Sequence, residues 1–330
     1  MAPKASQIDI SENRLRNRGQ ILDILLSVHG TRQNIIWATD SYVKLGAEYA
    51  PKRQIKREQV TGGNGQLIQP RAAKSKEEQK YRTKEKAEVF TPLEIVKEMN
   101  MAIDWSSKNY PTTDDNWLDY VQEKRLEITC GEGPFIAGRY NPTANTGLII
   151  KPHNRVGFLD RKLQEIHKRI SSKADWLKYA EIALQSSYGY EWQGDNLLIA
   201  RENILMTMND FYQYFCKDRL KLKTAQNLTD EQLEQFAHII SWNFWQMDGL
   251  KYVRPMSCKQ TLQRPEDVPK DQLALLPLEK PHKIMVECDG CRIGDSLKHT
   301  GVYARIMDWE TNKKLRFADL ATKSESYLEK

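Results

Sequence analysis

The chain of 330 residues carries 50 Lys and Arg against 44 Asp and Glu, a net charge of +6, with 40% apolar and 28% charged residues. That apolar content suits a folded core and excludes wholesale disorder. No run of about 18 apolar residues occurs and the amino-terminal stretch has no apolar segment, so neither a membrane span nor a secretory signal is expected.

Five scattered cysteines are too few and too irregular for a disulfide scaffold, which favours a reducing cytoplasm. Residues 1–86 hold 17 Lys and Arg against 9 Asp and Glu, leaving the remainder slightly acidic. A basic segment on a near-neutral body suits contact with a polyanion, and equally a solvated helical extension.

In chain order, Ile21, Leu22, Ile24, Leu25 and Leu26 fall on one helical face. A second helix is expected over 34–50, completing a helical amino-terminal extension (1–50). Residues 51–83 turn polar around Gly62, Gly63 and Gly65 and then basic. They read as a flexible linker, free to touch DNA phosphates or a partner. Thr91-Pro92-Leu93-Glu94 then opens a helix, with Thr91 as cap, Pro92 at its first position and Glu94 completing a capping box. Ile95, Val96, Met99 and Ile103 form that helix's apolar stripe. Residues 126–130 alternate as a strand and run into Gly131-Glu132-Gly133, after which a helix start is expected. Further helices are expected at 174–186, 195–209 and from Thr229, with short strands ending near Glu127, Glu191 and Asp248. Helices alternating with short strands make the fold α/β.

Three strand ends carry the chemistry. Gly131 and Gly133 allow close backbone approach and positive φ, without the third glycine of a dinucleotide fingerprint or the Gly-Lys-Ser/Thr of a P-loop. Glu191 at a strand end can accept hydrogen bonds from ribose hydroxyls, and the adjacent Trp192 can cover a base. Asp248 can accept from an exocyclic amine. Together these describe a nucleoside pocket better than any one does.

The order of these segments resembles the gamma-type adenine-specific (N6) DNA methyltransferases of restriction–modification systems. Residues 86–92, with Phe90, Thr91 and Pro92, are similar to their motif X, G-E-x-F-T-P. Residues 126–136, with Glu127, Cys130, Gly131, Gly133, Pro134 and Phe135, resemble motif I, D-P-x-C-G-x-G-x-F. Glu191 stands in a motif II-like segment, followed by residues 199–203 like its trailing helix, and Asp248 stands in a segment like motif III. The resemblance implies a class I S-adenosylmethionine-dependent methyltransferase (Rossmann-like) fold over 84–255, with the methyl donor as cofactor. Departures accompany it: Glu127-Ile128 replaces Asp-Pro, and the interval from motif I to motif II is long. Motif IV, (Asp/Asn)-Pro-Pro-(Tyr/Phe), is absent from the chain.

Methyl transfer to a base amine needs the base flipped out and held in line. The family does this with motif IV, so no catalytic residue is assigned to this chain. The resemblance is to the short "subunit M" kind, half of a split methyltransferase. Its partner subunit would supply the NPPY motif and target recognition on double-stranded DNA, with an endonuclease as a further associate. Residues 256–330, including Ala304 to Trp309 and Leu315 to Phe317, would then lie at the partner interface. A self-sufficient methyltransferase acting on RNA or DNA, an inactive regulatory homologue and an enzyme of another class using the same nucleoside pocket stay open. Cys288-Asp289-Gly290-Cys291 has zinc-knuckle spacing, completable by Cys258 and His282, but a lone Cys-x-x-Cys reads more simply as a turn between strands. No metal is expected.

Overall fold

The computed structural model describes residues 14–86, 88–144, 147–262 and 285–321. Helix α1 (Gly19–Leu26) buries Ile21, Leu22, Leu25 and Leu26. It leads into an antiparallel ribbon of β1 (Ser27–Val28) and β2 (Gln33–Asn34). The helix expected over 34–50 does not form. Ala38 at φ 52° and Gly46 at φ 146° interrupt it, leaving only 3-10 turns at Val43–Leu45 and Ala47–Tyr49.

Nor are residues 51–83 a flexible linker. Ile55, Val60, Ile68 and Ala72 are buried in the body, and α2 (Lys76–Lys86) follows. Helix α3 (Leu93–Ser106) begins beyond Pro92, with no side-chain cap from Thr91. Its orientation is inverted relative to its apolar pattern. Val96, Asn100 and Asp104 face the body, whereas Ile95, Met99 and Ile103 are 43%, 50% and 48% exposed. Two polar anchors hold it that way. Asn100 Nδ2 donates to the carbonyls of Phe135 and Val156, each at 3.0 Å. The buried Asp104 carboxylate accepts from Tyr120 Oη at 2.9 Å and from Arg125 at 2.6 Å.

After α4 (Trp117–Gln122) comes β3 (Arg125–Glu127), the first strand of the central sheet. Helices α5 (Phe158–Arg169) and α6 (Lys173–Gln185) cross over to β4 (Ser187–Glu191). Helices α7 (Gly194–Asp218) and α8 (Asp230–Asn243) then cross over to β5 (Phe244–Gln246). The three strands are parallel, in the order β3-β4-β5, with Leu126 opposite Tyr188 and Tyr190 opposite Trp245. Parallel neighbours need such long crossovers, and each here is a helix pair. Ser172 caps α6, and Thr229 with Gln232 forms a capping box on α8.

Helix α7 is the spine: 25 residues, buried on nearly every side. Its buried charges bind the amino-terminal segment. Arg16 makes a two-pronged pair with Glu202 at 2.7 and 2.8 Å, and Arg82 meets Asp195 at 2.7 Å. Arg201 donates to the carbonyls of Ser27 at 3.0 Å and Phe244 at 2.8 Å, joining the β1–β2 ribbon to β5. Burial without a carboxylate lowers its pKa to about 9. The amino-terminal 50 residues, as far as they are described, are therefore part of the core and not an extension.

One face of the sheet packs on the helices. On the other, Tyr188, Tyr190, Trp245 and Met247 meet Ala304 and Phe317. These last belong to a carboxy-terminal hairpin of β8 (Arg305–Asp308) and β9 (Lys313–Arg316), which pair with each other. The segment expected to await a partner thus covers this chain's own sheet. Before it lie the short antiparallel pair β6 (Thr261–Leu262) and β7 (Met285–Val286) and helix α9 (Asp289–Ile293). Among the described residues no strand pairs with the outer edge of β3, and no helix is long and apolar enough to cross a membrane.

Candidate functional site

The carboxyl ends of β3, β4 and β5 gather most of the residues singled out in the sequence. After Glu127 the chain turns through Thr129 at φ 49°, Gly131 at φ 55° and Gly133 at φ 77°. The turn is fastened to β4 by two bonds. Cys130 N donates to Tyr190 O at 2.8 Å, and Gly131 N donates to Glu191 Oε2 at 2.8 Å. The Phe90 ring lies directly above Gly131, where a Cβ would stand 3.4 Å from it. Phe90 and Gly131, 41 positions apart in sequence, therefore lie close together. Beneath the turn, buried Glu132 accepts from the Arg71 backbone N–H at 2.6 Å and from Tyr140 Oη at 2.8 Å. The presumed linker thus braces the glycine loop.

The helix expected after Gly133 is a single turn. Ala137 N donates to Gly133 O at 2.9 Å, and the chain then departs into a loop. Helix α5 takes its place: Phe158 N and Leu159 N bond the carbonyls of Phe135 and Ile136 at 2.8 and 3.0 Å. Pro134 is buried and Phe135 half-buried at this junction.

Glu191 is buried, with one oxygen on Gly131 N and the other on Gln193 N at 3.0 Å. Burial raises its pKa to about 6, and those N–H groups oppose the rise. Glu127 is driven well above the carboxylate range by burial, opposed by the N–H groups of Phe135 and Ile136 and reinforced by the Glu191 charge. Its Oε2 is shielded from solvent and has no hydrogen-bond partner. The Cys130 thiol is raised well above its ordinary range by burial and by Glu127 and Glu191, which keeps it protonated and unsuited to nucleophilic attack.

A groove of about 580 Å³ runs along the open edge of β3, lined by Thr91, Met99, Glu127, Ile128, Phe135 and Phe158 among others. Thr91, Glu127 and Phe135 of the expected site face it; Pro92 sits exposed at the head of α3. Glu191, Trp192 and Asp248 lie away from this groove. Trp192 donates its indole N–H to Ala38 O at 3.0 Å. Asp248 is joined to Glu191 through its neighbour, Met247 N donating to Glu191 O at 3.0 Å. Its own carboxylate accepts from Leu250 N at 3.0 Å and Lys251 N at 3.2 Å, closing the turn after β5.

A second cluster lies outside this site. Cys258, Cys288 and Cys291 converge with His299, all four ligand atoms within 4.8 Å of one another. The turn-between-strands reading of Cys288–Cys291 is overturned, because Cys288 caps α9. His282 lies outside the described residues, and His299 was not considered from the sequence. Its position eight residues past Cys291 was the available signal. The thirty-residue gap back to Cys258 obscured it.

Comparisons with family models, curated proteins and solved structures find no match for this chain.

Proposed function

We propose that this chain is the S-adenosylmethionine-binding half of a split class I methyltransferase that methylates adenine N6 in double-stranded DNA together with a second subunit. One observation carries this reading: among the described residues the parallel sheet stops at β3, and the exposed stripe of α3 flanks that open edge. Parallel strands are ordinarily covered on both sides. Here Leu126 and Ile128 at the edge are 43% and 64% exposed, beside Ile95, Met99 and Ile103. A contiguous apolar surface next to unpaired strand N–H and C=O groups suits a partner that adds a strand.

The position of the break supports the same reading. In doubly wound sheets ligands bind beyond the carboxyl ends of the strands, where strand order reverses. Starting from the order β5-β4-β3, the reversal falls between β3 and the strand a partner would add. The groove of about 580 Å³ lies on that edge. Its apolar walls and the unpartnered oxygen of Glu127 fit an adenosyl donor.

When bound, S-adenosylmethionine supplies an electrophilic methyl group on its sulfonium. The residues of this chain would hold and orient it. Thr91, Glu127 and Phe135 line the groove, Gly131 and Gly133 permit close approach, and Glu191 retains lone pairs for ribose hydroxyls beyond its two backbone bonds. Trp192 and Asp248 lie away from the groove, held by Ala38 O and by Leu250 N and Lys251 N, so no donor contact is assigned to them. The acceptor base is left to the partner, which brings the NPPY motif. Exposed Lys52, Arg53, Lys56, Lys76 and Lys80 suit contact with phosphates.

Co-expression with an NPPY-bearing chain tests the proposal. The complex should form and methylate adenine, and each chain alone should not. Methylation by this chain alone, or none by the complex, would refute it.

A further inference from the structure

The structure assigns Cys258, Cys288, Cys291 and His299 as the four ligands of one tetrahedral zinc ion, independently of the donor site. His299 Nδ1 stands 3.7 Å from Cys258 Sγ, 3.7 Å from Cys288 Sγ and 3.6 Å from Cys291 Sγ. A ring nitrogen offers one proton or one lone pair, so it cannot hydrogen-bond three thiols at once. Tetrahedral zinc, with Zn–S of about 2.3 Å and Zn–N of about 2.05 Å, separates sulfur from nitrogen by about 3.6 Å. The spacing around His299 is that of ligands about a common centre.

The surroundings are shaped to the cluster. A Cβ on Gly290 would lie 2.7 Å from His299 Nδ1, and one on Gly301 would lie 3.1 Å from Cys258 Sγ. Only glycine at the first position lets the imidazole close on the Cys-x-x-Cys turn. The backbone N–H groups of Cys291 and Thr300 face the Cys288 sulfur, and the Lys251 ammonium lies beside Cys291. Three thiolates, a neutral imidazole and Zn²⁺ sum to one negative charge, which Lys251 offsets. Soft sulfur ligands with one imidazole and no open position select zinc in a structural role.

The site staples the base of the carboxy-terminal module. It ties the Cys258 loop to α9 and to the 298–303 segment, beside the bonds Arg254 N to Val302 O at 2.7 Å and Ala304 N to Tyr252 O at 3.0 Å. That segment leads into the β8–β9 hairpin covering the sheet, and Lys251 joins the cluster to the turn closed by Asp248.

Elemental analysis of the reduced full chain, purified without metal-affinity resin and titrated with zinc, tests the assignment. One zinc per chain is expected, with three thiols that react with a thiol reagent only after chelation. Cobalt substitution should give the intense d–d bands of a tetrahedral ion and thiolate-to-cobalt charge transfer. Cys291→Ser and His299→Ala should lose the ion and His282→Ala should keep it. Substoichiometric zinc in the unaltered chain, an octahedral cobalt spectrum, or full retention in His299→Ala would overturn the assignment. The first two readouts need no variant, so misfolded mutants leave the test intact.

Discussion

Glu191 Oε2, at the end of β4, accepts the backbone N–H of Gly131 at 2.8 Å, so one carboxylate fixes the glycine turn that follows β3. Its other oxygen takes Gln193 N at 3.0 Å and sets the start of α7. The residue read from sequence as a ribose acceptor thus braces the turn after β3 and the start of α7.

Glu191→Gln keeps one acceptor and turns an amide donor toward the other N–H. A charge-assisted bond contributes about 1.5–3 kcal/mol. S-adenosylmethionine binding should therefore weaken roughly 10- to 100-fold, measured by calorimetry on a variant whose circular dichroism is unchanged. Unaltered affinity would remove Glu191 from the site.

The raised pKa of Glu191, about 6, sets a pH dependence. A buried acid whose pKa rises on folding is favoured protonated, so its contribution to stability is greatest below its ordinary pKa of 4.5. That contribution falls as pH climbs to 6, by about 2 kcal/mol. Donor binding has the opposite slope, since ribose hydroxyls favour the carboxylate. Affinity should rise about tenfold per unit below pH 6 and level off above it, whereas Glu191→Gln should bind with a flat profile.

Legibility differed by region for physical reasons. Helices α6, α7 and α8 and the strands ending near Glu127, Glu191 and Asp248 were readable because caps and apolar spacing agree with their packing. Of the amino-terminal 86 residues only the apolar face of α1 was, because composition counts Arg16 and Arg82 as solvated while both are buried against α7. Helix α3 was found but its facing was not: Asn100 and Asp104 turn inward, and nothing in their spacing announces partners as distant as Phe135 and Arg125. In the candidate site, the motif order implied that Phe90, Gly131 and Glu191 come together, and in space they do. It did not foresee the single turn replacing the motif I helix, or His299 beside the cysteines.

The buried Arg16–Glu202 pair yields a stability prediction. Glu202→Ala leaves a guanidinium that is 2% exposed without its carboxylate. Breaking a buried pair costs about 3–5 kcal/mol, so urea unfolding should shift by that amount. Removing residues 1–50 should prevent folding. A shift below about 1 kcal/mol would mean that Arg16 reaches solvent.

The open edge of β3 yields the opposite signature. Ile128→Asp and Met99→Asp alter exposed positions, so each should change stability by under about 0.5 kcal/mol. Each should abolish co-purification with the proposed NPPY-bearing subunit. Intact assembly in both variants would place the interface elsewhere.

The central proposal is that this chain holds the methyl donor, and calorimetric titration of S-adenosylmethionine measures it most directly, with the chain alone and with the proposed partner. The account predicts one site per chain, displaced by S-adenosylhomocysteine and lost when Gly131→Val fills the space beneath Phe90. The absence of binding both by the chain and by the assembled complex would contradict it.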